Sequence, residues 1–116
     1  SQKILNDIGD WGQDYVFRDL FDEFSNDNEI EIIDLNKNGI KGVGADFIIK
    51  TGNDITRIVE VKSTTETFGK TLSISGTQWE VARNYFKENN GDKYWIYCVF
   101  NAGKEDAEIL KIKKLC

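Results

Sequence analysis

Ile55-Thr56-Arg57-Ile58-Val59-Glu60-Val61-Lys62 is the longest strand-like run in the chain, and Gly44-Ala45-Asp46-Phe47-Ile48-Ile49 lies just upstream. Side chains two apart on a strand share a face, so Glu60 and Lys62 project together beyond Ile58 while Val59 and Val61 point the other way. One face of this strand therefore ends in charge. Whether Asp46 joins that face depends on the intervening hairpin. A three-residue Gly52-Asn53-Asp54 loop sets Asp46 across from Glu60, whereas a two-residue Gly52-Asn53 turn sets it across from Val59 unless a bulge adds a residue.

An acid on one strand, then an acid and a lysine two apart on the next, form a minimal kit for a divalent cation beside a phosphodiester. The carboxylates offer hard oxygen ligands, and the lysine positions a water or steadies a phosphate. The plain alternative is an amphipathic strand whose Glu60 and Lys62 face water. Two carboxylates in contact repel unless a cation or Lys62 lies between them.

A chain of 116 residues has room for one core, and we expect a single domain spanning 1–116, cut from a longer protein. No apolar stretch reaches the length of a membrane span or a signal-peptide core. Two cysteines, Cys98 and Cys116, make neither a disulfide framework nor a ligand spacing. The expected setting is intracellular, cytoplasmic or nuclear, with no membrane partner. Histidine is absent, which removes the usual base of serine and cysteine hydrolases and the usual zinc ligand. Acid and base work must then fall to Asp, Glu, Lys or Tyr.

The net charge of −5 opposes broad nucleic-acid binding. Its distribution is uneven: residues 1–54 hold 5 Lys and Arg against 12 Asp and Glu, and residues 55–116 hold 10 against 8. A phosphate-facing surface would be built mostly from the second half.

Around the central run, residues 10–24 repeat Trp11, Tyr15, Phe17, Leu20, Phe21 and Phe24 at helical spacing, with acids on the other face. Residues 29–35 predict a strand with Ile30, Ile32 and Ile33 as candidates to face inward. Strands are expected over 45–50 and 55–63, with a short one at 71–75. A capping box at Ser75-Gly76-Thr77-Gln78 opens a helix to about residue 89, whose buried face is Trp79, Ala82, Tyr85 and Phe86. Residues 94–100 are the most hydrophobic strand, expected at the centre of the sheet, and residues 108–113 are the last. Trp11, Trp79 and Trp95 sit at core spacings, and Lys111, Lys113 and Lys114 predict a solvated tail. This order gives an α/β or α+β sandwich around a mixed sheet.

Several of these residues together carry a resemblance: Gly9, Gly12, Gln13, Asp14 and Val16 on the first helix, Gly44-Ala45-Asp46-Phe47, Ile58-Val59-Glu60-Val61-Lys62-Ser63-Thr64, and Ile74-Ser75 followed by Gln78, Trp79 and Ala82. Over residues 9–101 the chain resembles the PD-(D/E)XK nuclease superfamily. Within it the chain is most similar to the domain at the C-terminal end of NO VEIN-type proteins, and more distantly to Mrr-type restriction enzymes and archaeal Holliday-junction resolvases. The resemblance implies a restriction-endonuclease-like αβββαβ core with a mixed central sheet flanked by helices. It implies that Asp46, Glu60 and the Val61 carbonyl hold Mg2+ or Mn2+, and that Lys62 assists the water attacking a DNA phosphodiester. It also implies fused ATPase, helicase or DNA-recognition modules, and a role in defence against foreign DNA or in genome maintenance.

This chain departs from the family pattern at Gln13, where relatives usually carry Glu, and at Gln78, where they often do. An amide ligates through its carbonyl oxygen but adds no charge and is no base. Gln13 is therefore expected as an accessory at the catalytic site, and a binding module without efficient cleavage is the alternative function. Ser63, Thr64, Lys70, Thr77 and Gln78 are the candidate phosphate contacts, through hydroxyls, an ammonium and free helix N–H groups; caps and loop polars are their plain alternative.

Overall fold

In this computed structural model the described residues are 1–68, 77–87 and 91–113, and the side chains of 77–79 are not described. The elements are helix α1 (Gln2–Glu23), strands β1 (Ile30–Asp34), β2 (Phe47–Thr51) and β3 (Asp54–Ser63), helix α2 (Thr77–Phe86), and strands β4 (Tyr94–Phe100) and β5 (Glu108–Lys113). The five strands make one sheet in the order β1-β2-β3-β4-β5. The first three form an antiparallel meander, β3 and β4 run parallel, and β5 returns antiparallel. The parallel pair needs a crossover, and α2 lies within it. The chain is thus α/β with a mixed sheet and the expected αβββαβ order, followed by one more strand.

Alternation along the strands builds two cores. Phe47, Ile49, Val59, Tyr97 and Val99 face Val16 and Leu20 of α1. Ile48, Ile58, Tyr94, Ile96, Cys98 and Phe100 face the other side with Ala82 of α2. β4 is covered on both faces, which is why its sequence reads as one apolar run. It is interior, but the centre of the sheet is β3.

Helix α1 begins at Gln2, earlier than the apolar pattern from residue 10 indicates. Its first turns rest on a Ser1 cap to the Ile4 amide (3.4 Å) and on exposed pairs, Gln2 to Asn6 (3.0 Å) and Lys3 to Asp7 (2.9 Å). Such pairs leave no apolar signature. Helix α2 ends at Phe86, before the expected residue 89, and Lys87 follows with a left-handed φ of 54°. Ala82 is buried and Phe86 partly so, but Tyr85 is exposed, resting edge-on against Phe86 with ring centroids 4.9 Å apart. The expected strand at 71–75, the start of the capping box and the Trp79 side chain lie outside the described residues. Trp11 and Trp95 are partly buried and pack against the α1-side core, the side that their spacing indicates. Lys111 and Lys113 are not a free tail: they sit on β5, 5.3 Å above the Tyr97 ring and 5.7 Å above the Trp95 ring.

The hairpin joining β2 to β3 decides the register. It turns in two residues, Gly52-Asn53, with Thr51 opposite Asp54 and Gly52 at φ 62°. Parity changes further along, where Lys50 faces Ile55 but Ile49 faces Arg57. Thr56 is the extra residue, and its hydroxyl donates to the Ile49 carbonyl at 3.2 Å. Phe47 then faces Val59, so the next pair in sequence is Asp46 and Glu60.

Candidate functional site

Asp46 lies one residue before β2, tied at both main-chain groups: its N–H donates to the Val59 carbonyl (2.8 Å) and its carbonyl accepts from the Leu35 N–H (3.0 Å). The approach to it runs through Gly42 and Gly44 at φ 73° and 82°, a conformation that a Cβ makes costly. The Tyr94 hydroxyl donates to the Gly44 carbonyl at 3.0 Å and pins that approach to β4.

Three donors converge on the Asp46 carboxylate. Oδ1 accepts from Gln13 Nε2 (3.0 Å) and Asn36 Nδ2 (2.9 Å), and Oδ2 accepts from the Val61 N–H (2.7 Å). Asn36 Nδ2 also donates to Gln13 Oε1 at 2.9 Å. A carboxylate has about four lone-pair directions, so one remains, on Oδ2.

Glu60 hydrogen-bonds to Asp46. Both are buried, at 8% and 7% exposure. Burial, the hydrogen bond to Asp46 and the Asp46 charge together push the Glu60 carboxyl up to about 9, while Lys62 and the Val61 backbone pull it down. A carboxyl raised this far favours its protonated form at neutral pH, in which it can donate to Asp46. The neighbouring Tyr94 hydroxyl is likewise raised, by burial and then by Glu60 and Asp46. Lys62 lies two residues beyond Glu60 on the same face of β3, opposite Cys98, near enough to act on both.

Gln13 reaches Asp46 because α1 lies unusually close to β3. A Cβ at Gly12 would collide with Ser63 Oγ, so only glycine allows this approach. The Ser63 hydroxyl is shut in by the same contact, buried and without a hydrogen-bond partner among the described residues. Ser63, a candidate phosphate contact, packs against Gly12 and also borders the cleft lined by Thr64. Thr64 lines an open cleft of about 260 Å³ with Leu5, Ile8, Gln13 and Val61. A second cleft of about 270 Å³ lies against Asn36, Gly44, Asp46, Glu60 and Val81 of α2, so the carboxyl pair is flanked by two openings. A larger cleft, about 720 Å³, between α1 and β5 contains none of these residues. Lys70 and the side chains of Thr77 and Gln78 lie outside the described residues.

The donor set suits a hard divalent cation. It is all oxygen, and it brings together two carboxyls that repel when both are charged unless positive charge lies between them. Val61 turns its N–H toward Asp46, and since the N–H and C=O of one strand residue point to the same edge, its carbonyl is on that side too. The described residues hold no group of three or more His, Cys, Asp or Glu that could bind a metal, so a cation here would rest on the pair plus neutral oxygens. Asn36 is the site residue that the sequence did not announce. It follows β1 in Leu35-Asn36-Lys37-Asn38-Gly39, where an asparagine reads as turn chemistry.

No helix among the described residues is long and apolar enough to cross a membrane. The family model described as Protein NO VEIN, C-terminal, matches residues 13–112. No curated protein and no solved structure matches the chain.

Proposed function

This chain belongs to the NO VEIN C-terminal family, and from that premise we propose that it is a PD-(D/E)XK-type domain hydrolysing DNA phosphodiesters with Mg2+ or Mn2+. The observation that carries the reading is the buried contact of Asp46 with Glu60, with Lys62 beside them on the same strand face. Asp46, Glu60 and the Val61 carbonyl would hold the cation, which when bound supplies Lewis-acid stabilisation of the charge developing on phosphate. The Val61 N–H holds the Asp46 carboxylate in one orientation. Lys62 positions the attacking water for in-line displacement, and Thr64 contacts phosphate from the adjoining cleft. A core of this size leaves little surface for base readout, so fused recognition, helicase or ATPase modules would select the substrate.

A second reading, a nuclease-fold module that binds nucleic acid or a protein partner without efficient cleavage, is favoured by the neutral Gln13 and by the net charge of −5.

The test joins a Mn2+ titration followed by thermal melting with a plasmid-nicking assay on the protein and on Lys62→Ala. A real site raises the melting temperature as Mn2+ exceeds its dissociation constant. Lys62→Ala is expected to keep that rise and lose about two to four orders of magnitude in nicking rate. Nicking as fast as the parent removes Lys62 from the chemistry. A Mn2+ response without nicking favours the binding module, and no Mn2+ response defeats the cation reading.

A further inference from the structure

Asn36 and Gln13 make a closed triangle with Asp46. Asn36 Nδ2 uses one hydrogen on Asp46 Oδ1 and the other on Gln13 Oε1, while Gln13 Nε2 donates to the same Asp46 oxygen. Each amide has two orientations, so four combinations exist. Turning Gln13 alone sets its Oε1 against Asp46 Oδ1 and its NH2 against the Asn36 NH2. Turning Asn36 alone sets its oxygen against both Gln13 Oε1 and Asp46 Oδ1. Turning both keeps the amide pair but leaves two oxygens facing the carboxylate. One combination satisfies all three contacts, and it is the one present.

We propose that Asn36 is a positioning residue that locks the Gln13 amide with its NH2 toward Asp46, so that Gln13 serves as a donor orienting the carboxylate and not as a cation ligand. The lone-pair count agrees. Gln13 and Asn36 fill Oδ1 and Val61 takes one direction on Oδ2, so the direction left open is on Oδ2, away from the Gln13 amide. Gln13 Oε1 is occupied by Asn36 and turned from Asp46. Asn36 is held for this task by its turn: the Asn38 N–H donates to the Asp34 carbonyl (3.2 Å), the Ile40 N–H to that of Leu35 (2.9 Å), and Gly39 takes φ 76°. Gly12 supplies the other half by letting α1 approach β3. The statement about a cation rests on the proposed function, whereas the statement about the amide does not.

Side-chain amide exchange by NMR tests the lock in the metal-free protein. The NH2 groups of Asn36 and Gln13 are expected to exchange about tenfold or more slowly than that of the exposed Asn28. In Asn36→Ala the Gln13 NH2 is expected to lose that protection. Unprotected Asn36 in the native protein, or unchanged Gln13 protection in Asn36→Ala, overturns the lock. The loaded protein tests the consequence. With saturating Mg2+ the Gln13 NH2 is expected to keep its protection, because a donor to Asp46 stays in place when the ion binds. Loss of that protection on Mg2+ binding, as the amide turns its oxygen to the ion, shows a ligand and overturns the assignment. If Mg2+ does not bind, the cation reading falls, and the exchange rates in the metal-free protein still decide the role of Asn36.

Discussion

Glu60→Gln removes the carboxyl proton's dependence on pH while keeping the size of the side chain and a donor for Asp46. In the native protein the carboxyl is raised from 4.5 to about 9, first by burial and then by Asp46. Below about pH 4.5 both folded and unfolded chains hold the proton, and it does not affect stability. Between there and about 9 the unfolded chain has lost it and the folded chain keeps it, so each pH unit weakens the fold, by at most about 1.4 kcal/mol. Allowing roughly half of that for relaxation and for the opposing Lys62, the loss from pH 5 to 8 is about 2 kcal/mol. At about 4 °C per kcal/mol for a domain of this size, the melting temperature should fall by about 8 °C over that range. Glu60→Gln should lack this fall, so the two proteins melt alike near pH 5 and the variant melts higher at pH 8. Saturating Mn2+ should restore the native protein at pH 8 and leave the variant nearly unmoved. The assay is a set of metal-free and Mn2+-loaded melting curves from pH 5 to 8. Parallel pH profiles for the two proteins would refute a buried proton on Glu60.

Gln13→Glu adds a third carboxyl against Asp46 and should lower the metal-free melting temperature, with Mg2+ recovering more of it than in the parent. Equal shifts with and without Mg2+ would show that position 13 does not communicate with the carboxyl pair. Gly12→Ala should destabilise by about 1–3 kcal/mol through overpacking, because its Cβ collides with Ser63 Oγ. Ser63→Gly in the same chain should recover most of that loss, and a denaturant midpoint that ignores the second change would mean the strain lies elsewhere.

The charged end of β3 and the run of β4 were legible because a period of two, or an unbroken apolar stretch, reports directly which faces are covered. The strand assigned to 108–113 agrees with β5 for the same reason. The hairpin was not legible. Gly52-Asn53 and Gly52-Asn53-Asp54 are both good turn chemistry, and the residue that sets the parity, Thr56, lies inside a strand where threonine is ordinary. Centrality was misread at β4, since the true central strand, β3, gives up apolar character to Glu60 and Lys62. Asn36 escaped because its partners are 10 and 23 residues away, and nothing in a turn sequence records what lies across it.

Asn36, Asp46 and Glu60 all come from the β1-β2-β3 meander, whose facing residues are close in sequence: Asp34 with Phe47, Phe47 with Val59. The parallel β3-β4 pair instead joins Ile58 to Tyr94. Closing that threefold longer loop costs about 1 kcal/mol more in chain entropy. The meander can therefore assemble ahead of the rest of the sheet, bringing two acids together before β4 is in place to bury them. Before β4 covers them the burial that chiefly raises the Glu60 carboxyl is missing, so the two acids meet in water and the proton is taken up as the sheet closes over them.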